Sequence, residues 1–303
     1  MVRQQTKRLP SWLSRPMGQP SKLHTMKNIL RSRNLHTVCE SARCPNIGEC
    51  FSKPTATFMI LGDVCTRGCG FCAVEKTSTF SPSPLWGEGG VRGKALPVDT
   101  DEPQNIALTA KELGLRHVVI TSVTRDDLAD GGATQFALTI KAVKDTIPTI
   151  SIEVLTPDFK GDKRALKIVL DARPDIFNHN IETVPSLYPE VRPQADYKQS
   201  LRVLEMAKAI NGEIITKSGL MVGLGETKDE VKSVLKDLLN SGCDAVTIGQ
   251  YLRPSSKNLE VQEYISLEVF KEYEEYGKDI GLKHVYSGPF VRSSYNAELL
   301  TAS

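Results

Sequence analysis

Six of the chain's seven cysteines fall between positions 39 and 72, in two triplets. The first, Cys39, Cys44 and Cys50, is spaced CxxxxCxxxxxC; the second, Cys65, Cys69 and Cys72, is spaced CxxxCxxC. Disulfide scaffolds are usually short, secreted and even in cysteine count. This chain has 303 residues, an odd count and no apolar signal segment, so the bunching reads as metal ligation in a reducing compartment. A structural zinc site closes with four ligands, usually at CxxC spacing, and a ferredoxin uses four cysteines per cluster. Each triplet here suits three irons of a cubane and leaves the fourth without a thiolate. An open iron is useful only if something else binds there. Gly68 and Gly70 let the second loop wrap closely around a cluster. Phe71, between two of the ligands, is placed to shield one cluster face.

Behind the cysteines, β-rich runs alternate with amphipathic stretches. Strands are expected near 56–61, 117–122, 151–155, 175–179, 214–222 and 245–249, and helices over 105–113, 133–144, 198–210, 229–239 and 267–280. In the last helix Leu267, Phe270, Tyr273 and Tyr276 recur at helical spacing and predict a core-facing stripe. Six β–α units in series imply a parallel sheet with right-handed crossovers. Six are too few to close an eight-stranded barrel. The predicted fold is therefore α/β, a partial (β/α)6 TIM-like barrel with ligands at the C-terminal strand ends. Its open side would admit a group carried on another protein. Three regions are expected: an N-terminal extension, 1–54, carrying the first triplet; the barrel, 55–282; and a C-terminal tail, 283–303. Residues 77–96, rich in Gly, Pro and Ser and lacking a sustained period, predict a flexible surface insertion that includes Trp86.

Composition narrows the partners. A net charge of +2 gives no reason to propose a nucleic-acid or membrane partner. No run approaches the roughly 18 apolar residues of a membrane-spanning helix. Residues 1–39 carry eight Lys/Arg and no Asp or Glu. A basic, acid-poor N-terminus is one mark of an organelle transit peptide. Cys39 follows at once, however, so the expectation is an arm folded onto the protein and a cytoplasmic location, with an organellar one as the alternative.

The CxxxCxxC loop, placed after the first strand of a β–α series, resembles that of the radical S-adenosylmethionine superfamily. CxxxxCxxxxxC followed by CxxxCxxC resembles the lipoyl synthase family within it, as does the motif Arg292-Ser293-Ser294-Tyr295. The segments RLPSWL (8–13), TSVTRDDL (121–128), NHNIET (178–183) and GLMVGLGE (219–226) extend the likeness over most of the chain. The 77–96 insertion is the main departure, and it leaves both triplets intact.

The resemblance implies two [4Fe–4S] clusters and S-adenosylmethionine. Cys65, Cys69 and Cys72 would hold the radical-generating cluster, whose open iron chelates the methionine amino and carboxylate groups. Cys39, Cys44 and Cys50 would hold an auxiliary cluster completed by a serine of the RSSY motif, with Ser294 the choice and Ser293 the fallback. Oxygen is a harder donor than thiolate, a plausible weak point in a cluster meant to be dismantled. Further cofactor contacts are expected from Phe71, Asn180, Glu182, Arg192, Gly223 and Glu226. Asn180 and Glu182 would meet ribose hydroxyls or the methionine amine. Residues 219–226 follow the superfamily's GxIxGxxE pattern, with Met221 at the Ile position, and the glycines would let backbone pass near the adenine. Arg192 and Arg125 are candidates for positioning a carboxylate, with structural ion pairs the plainer alternative. His179 is expected as a satisfied strand-end histidine and Cys243 as a buried small hydrophobe.

The implied activity is insertion of sulfur at carbons six and eight of an octanoyl group on a lipoyl carrier protein, either a lipoyl domain or a glycine cleavage H protein. The auxiliary cluster would be consumed as the sulfur donor. An electron donor such as ferredoxin or flavodoxin, and an iron–sulfur carrier for cluster repair, belong to the same implication. Two rivals stand beside it: another sulfur-inserting radical enzyme acting on a small molecule, and a two-cluster electron carrier. The second would leave a whole barrel and two incomplete triplets without a purpose.

Overall fold

The computed structural model describes residues 10–13, 20–50, 55–77, 96–294 and 300. The strands run in chain order as β1 (His36–Thr37), β2 (Thr55–Ile60), β3 (Val64–Cys65), β4 (Glu75–Lys76), β5 (His117–Ser122), β6 (Ser151–Leu155), β7 (Ile176–Asn178), β8 (Ile215–Val222), β9 (Ala245–Gln250) and β10 (His284–Gly288). The helices are α1 (Pro20–Ser32), α2 (Val38–Ser41), α3 (Ile47–Cys50), α4 (Glu102–Glu112), α5 (Ala133–Thr146), α6 (Lys163–Asp171), α7 (Tyr188–Val191), α8 (Tyr197–Ile210), α9 (Lys228–Asn240) and α10 (Leu267–Asp279).

One sheet takes the order β1-β2-β5-β6-β7-β8-β9-β10, and β3 and β4 form a small ladder apart from it. Every pairing from β2 to β10 is parallel, with α4, α5, α6, α8, α9 and α10 lying between successive strands of the series. The result is a partial TIM-like barrel. All six expected strands are present. Two more extend the sheet: β10 continues the parallel series, and β1 adds an antiparallel edge to β2. The sequence hides both. β1 has two residues, and β10 reads HVYSG, ending on a glycine inside what looks like a polar tail. The 1–54 extension is thus stitched to the barrel edge through β1, and the barrel sheet reaches into the 283–303 region.

Strand alternation explains the core. Phe58, Ile60, Val118, Ile120, Ile152, Val154, Phe177, Leu220, Val222, Val246 and Ile248 belong to one buried cluster with the apolar stripes of the helices. Full burial of each such side chain is worth about 1.5–3 kcal/mol. The alternate positions include the polar or small residues Thr57, Thr121, Glu153, Asn178, Lys217, Gly219, Thr247 and Gly249. There Lys217 Nζ meets Glu153 Oε2 at 3.0 Å, both fully buried, and Asn178 Nδ2 donates to Glu153 Oε1 at 2.6 Å. A separate cluster of Ile176, Ala245 and Leu300 is also buried.

Helix starts carry the expected chemistry. Asp162 accepts from Arg164 N, Asp196 from Gln199 N, and Thr227 with Glu230 forms a capping box. The α10 stripe is narrower than its spacing suggests. Phe270 and Tyr273 are buried and Tyr276 packs against them, but Leu267 is 49% exposed because it occupies the first, outward turn. Helix α6 is not among the expected helices: it has only nine residues, with Ala165, Leu166, Val169 and Leu170 buried and Lys163, Arg164, Lys167 and Asp171 exposed. Among the described residues no helix is long and apolar enough to cross a membrane. Residues 78–95, including Trp86, together with Arg8, Leu9 and Tyr295, lie outside the described residues.

Candidate active site

The CxxxCxxC loop follows β2 at its C-terminal end. Its ends are drawn together by the β3–β4 ladder, with Val64 opposite Glu75 and Cys65 opposite Lys76. Gly70 N–H donates to Val191 O at 2.9 Å, and Lys76 Nζ donates to Cys69 O at 2.9 Å. Asn258 Nδ2 donates to the carbonyls of Gly70 and Cys72 at 3.2 and 2.9 Å. Close approach makes glycine necessary at position 70, since a Cβ would stand 2.9 Å from the Leu259 side chain and 3.2 Å from Glu190 O.

Arg67, inside the motif, locks the loop to two strand ends. Its Nε and Nη2 donate to Asp126 at 2.7 and 3.0 Å, and its Nη1 and Nη2 donate to Asp158 at 2.9 and 2.7 Å. Such bidentate pairs add geometric specificity to charge. Burial alone would raise the Asp158 carboxyl, yet the hydrogen bonds and charge of Arg67 hold it well below the usual aspartate range. Sequence reading assigned Arg67 no role. The charged TRDD stretch and Asp158 were its available signals, and neither names its partner.

The three thiols of this loop share one electrostatic environment. Burial, the nearby Glu182 and the Cys65 thiol push Cys69 up, while Arg192 pulls it down. Cys72 is pushed up to about 11 by burial and by its neighbours Cys69, Cys65 and Glu182. Cys65 Sγ accepts N–H groups from Arg67 and Thr124 at 3.4 and 3.3 Å. Glu182 lies beside the triplet, and burial raises its carboxyl against the pull of Arg192 and of Asn180. Asn180 Nδ2 donates to Glu182 Oε1 at 3.0 Å. Arg192 Nη1 donates to the carbonyls of Asn180 and Ile181 at 3.0 and 3.2 Å and to Tyr188 Oη at 3.2 Å.

The remaining candidates divide. Phe71 packs with Val191, Leu224 and Tyr251 on one flank of the loop. Gly223, at φ 98°, has no room for a side chain, because a Cβ would stand 2.2 Å from Gln250 Nε2. Glu226 is turned inward: its carboxylate oxygens accept the N–H groups of Gly223 and Leu224 at 2.5 and 3.0 Å, so it shapes the glycine turn. Arg125 is committed to Asp127, with Nε–Oδ1 at 2.9 Å and Nη2–Oδ2 at 2.8 Å. Cys243 is buried in the core, its thiol pushed up to about 12 by burial. His179 is only half as expected: Nδ1 pairs with Thr156 O at 2.9 Å, while Nε2 has no partner among the described residues.

The first triplet sits beside the start of β2. Cys39 belongs to α2, Cys44 to the turn after it and Cys50 to α3. Burial raises the Cys39 thiol, and the adjacent Cys44 and Cys50 raise it further. A small cavity lies here, lined by Cys39, Cys50, Thr55, Ala56, Thr57, Val119 and Ser294. Ser294 is the serine of the pair that lines this cavity; Ser293 Oγ donates to Asn180 Oδ1.

The residues present fit the groups implied. All seven cysteines are free thiols. Among the described residues no three candidate ligands converge on a single ion. In a cubane each thiolate takes its own iron, which calls for a wider spread. The first triplet offers sulfur donors with one hydroxyl at a cavity. The second offers three thiols beside a carboxylate, an amide and an arginine whose buried Nε, like His179 Nε2, has no partner among the described residues. Unpaired buried polar atoms of this kind, a donor at Arg192 Nε and an acceptor at the neutral His179 Nε2, are what a polar ligand would satisfy.

Comparison with known proteins points the same way. The radical SAM superfamily pattern matches residues 59–238, and the pattern of the N-terminal domain of lipoyl synthase of the radical SAM family matches residues 1–44. The chain is 53% identical over 295 residues to the lipoyl synthase of Caldanaerobacter subterraneus subsp. tengcongensis, covering 97% of each chain. It is 54% identical over 297 residues to that of Caldicellulosiruptor saccharolyticus, covering 98% of each. Among solved structures it resembles methylornithine synthase, with TM-score 0.52 at 13% identity, over 94% of this chain and 88% of that one. A maturase of the [FeFe]-hydrogenase is similar with TM-score 0.54 at 14% identity, over 92% and 73%. These structures share the fold.

Proposed function

The chain belongs to the lipoyl synthase family of the radical S-adenosylmethionine superfamily, and from that premise we propose that it inserts two sulfur atoms, at carbons six and eight, into an octanoyl group amide-linked to a lysine of a lipoyl carrier protein. When bound, S-adenosylmethionine and a [4Fe–4S] cluster on Cys65, Cys69 and Cys72 supply the 5′-deoxyadenosyl radical that removes the hydrogen atoms. The auxiliary cluster on Cys39, Cys44, Cys50 and Ser294 is the sulfur substrate and is consumed.

The chain's own residues bind, orient and exclude water. Arg192 favours the thiolate at Cys69 and offers positive charge to a carboxylate. Asn180 and Glu182 present paired polar groups at the end of β7. His179, held down at about 4 chiefly by burial, stays neutral at physiological pH. Phe71, with Val191, Leu224 and Tyr251, closes one flank with apolar surface. The observation that carries this reading is the cavity that Ser294 shares with Cys39 and Cys50. It supports a fourth, oxygen ligand supplied from near the far end of the chain.

The substrate is an octanoylated lipoyl domain or glycine cleavage H protein. Ferredoxin or flavodoxin supplies electrons, an iron–sulfur carrier rebuilds the auxiliary cluster, and the setting is the cytoplasm. Anaerobic reconstitution should load about eight irons, and turnover with an octanoylated carrier peptide should yield a doubly thiolated product by mass. About four irons, or cofactor cleavage with no thiolated peptide, would sink the reading.

A further inference from the structure

The segment after β10 does more than deliver Ser294. Val291 N–H donates to Gly288 O at 3.0 Å as the chain turns back over the strand ends. It then crosses two strands that carry glycine at the crossing. At Gly249 on β9 a Cβ would stand 2.2 Å from Val291 O. At Gly219 on β8 it would stand 2.7 Å from Thr247 Oγ1, 2.9 Å from Ser293 Oγ and 3.0 Å from Asn180 Oδ1. The bare backbone at 219 leaves Ser293 Oγ free to donate to Asn180 Oδ1, while Asn180 Nδ2 donates to Glu182. One residue on, Ser294 lines the cavity of Cys39 and Cys50. Two adjacent serines thus belong to two different sites.

We propose that Ser293 is a positioning residue. Its hydroxyl, anchored on Asn180, holds the strap that presents Ser294 to the first triplet, and so ties the auxiliary site to the polar groups beside the second triplet. The inference rests on the assignment of Cys39, Cys44, Cys50 and Ser294 as the auxiliary set. Ser293 needs no contact with either cluster to act. It restricts where the next residue can go, and one part-buried neutral hydrogen bond shifts such an equilibrium roughly twofold to tenfold.

The test uses the full chain carrying Cys65→Ala, Cys69→Ala and Cys72→Ala, so that only the first triplet is loaded. After anaerobic reconstitution, the rate of iron transfer to a chelator is measured. Ser293→Ala should lose iron roughly fivefold to tenfold faster than the parent. Asn180→Ala, which touches no residue of that set, should show the same acceleration. The double variant should lose iron no faster than either single one, as coupled residues do. Unchanged loss in either single variant, or additive acceleration in the double, overturns the positioning role while leaving the auxiliary assignment standing. Failure of the parent to load iron overturns the assignment, and the positioning role falls with it.

Discussion

Asn46 Nδ2 donates to the carbonyl oxygen of Phe290 at 2.7 Å, across 244 positions of chain. Asn46 is buried and belongs to the turn between Cys44 and Cys50, and Phe290 opens the strap that ends at Ser294. This bond joins the loop of one cysteine triplet directly to the segment that carries its expected fourth ligand. Asn46→Ala should cost about 1 kcal/mol, the net worth of one part-buried hydrogen bond. Urea unfolding would measure that cost. Iron should also leave the first triplet faster than in the parent.

Ser294→Ala and Cys69→Ala should separate the two chemistries. The serine variant keeps the whole second triplet, so S-adenosylmethionine cleavage should persist while sulfur insertion is abolished. Cys69→Ala should abolish both. Parallel assays of 5′-deoxyadenosine and thiolated peptide decide the matter; equal loss of both products in the serine variant would contradict the assignment.

Gly249→Ala should phenocopy Ser294→Ala without touching a ligand. The added methyl would lie 2.2 Å from Val291 O, and backbone cannot yield as a flexible side chain can. The strap must shift. Reconstituted protein should hold about four irons rather than about eight, still cleave the cofactor, and yield no doubly thiolated peptide.

Arg67→Ala should be far more costly than a surface charge deletion. It strands Asp158, which is 1% exposed, without its cation, a change typically worth about 3–5 kcal/mol. Arg67→Lys should recover only part, since ammonium cannot make two bidentate pairs. The folded-state value of Asp158 is depressed, so the pair's stabilisation is fully present above the ordinary aspartate value near 3.8. It is lost progressively as pH falls below that value. Acid unfolding of the parent should therefore steepen below about pH 4, and Arg67→Ala should flatten that dependence.

Cys243→Ala should be nearly silent in function. The thiol is buried in the helix–sheet core with its pKa pushed up to about 12, so it is neither a ligand nor a nucleophile at neutral pH. Iron content should match the parent. A thiol reagent applied to the native, cluster-loaded protein should leave Cys243 unmodified, and modification there would show that the core opens.

Some of this was legible in one dimension. Ligand spacing within each triplet is a local property, written in consecutive residues, as are the alternating strands and the stripe through Phe270 and Tyr273. Where the sequence reading fell short, the signal was weak or shared. Strand β10 is five residues ending on glycine, α6 is only nine residues with four of them charged, and Leu267 fits a helical stripe but stands half-exposed in the first turn. The partners of Glu226 and Arg125, Gly223 and Leu224 in one case and Asp127 in the other, are likewise unmarked in the sequence.

By itself, then, the sequence determined that one incomplete thiol set precedes a parallel α/β series, that a second follows its first strand, and that a serine pair waits near the far end. Only the tertiary structure set Ser294 in the wall of the cavity of Cys39 and Cys50 and Ser293 Oγ against Asn180. It alone paired Arg67 with Asp126 and Asp158, and Asn46 with Phe290. The reason is physical. Those partners are separated by 59 to 244 positions, and what brings them together is strand order, parallel register and two glycines that let a strap cross the strand ends.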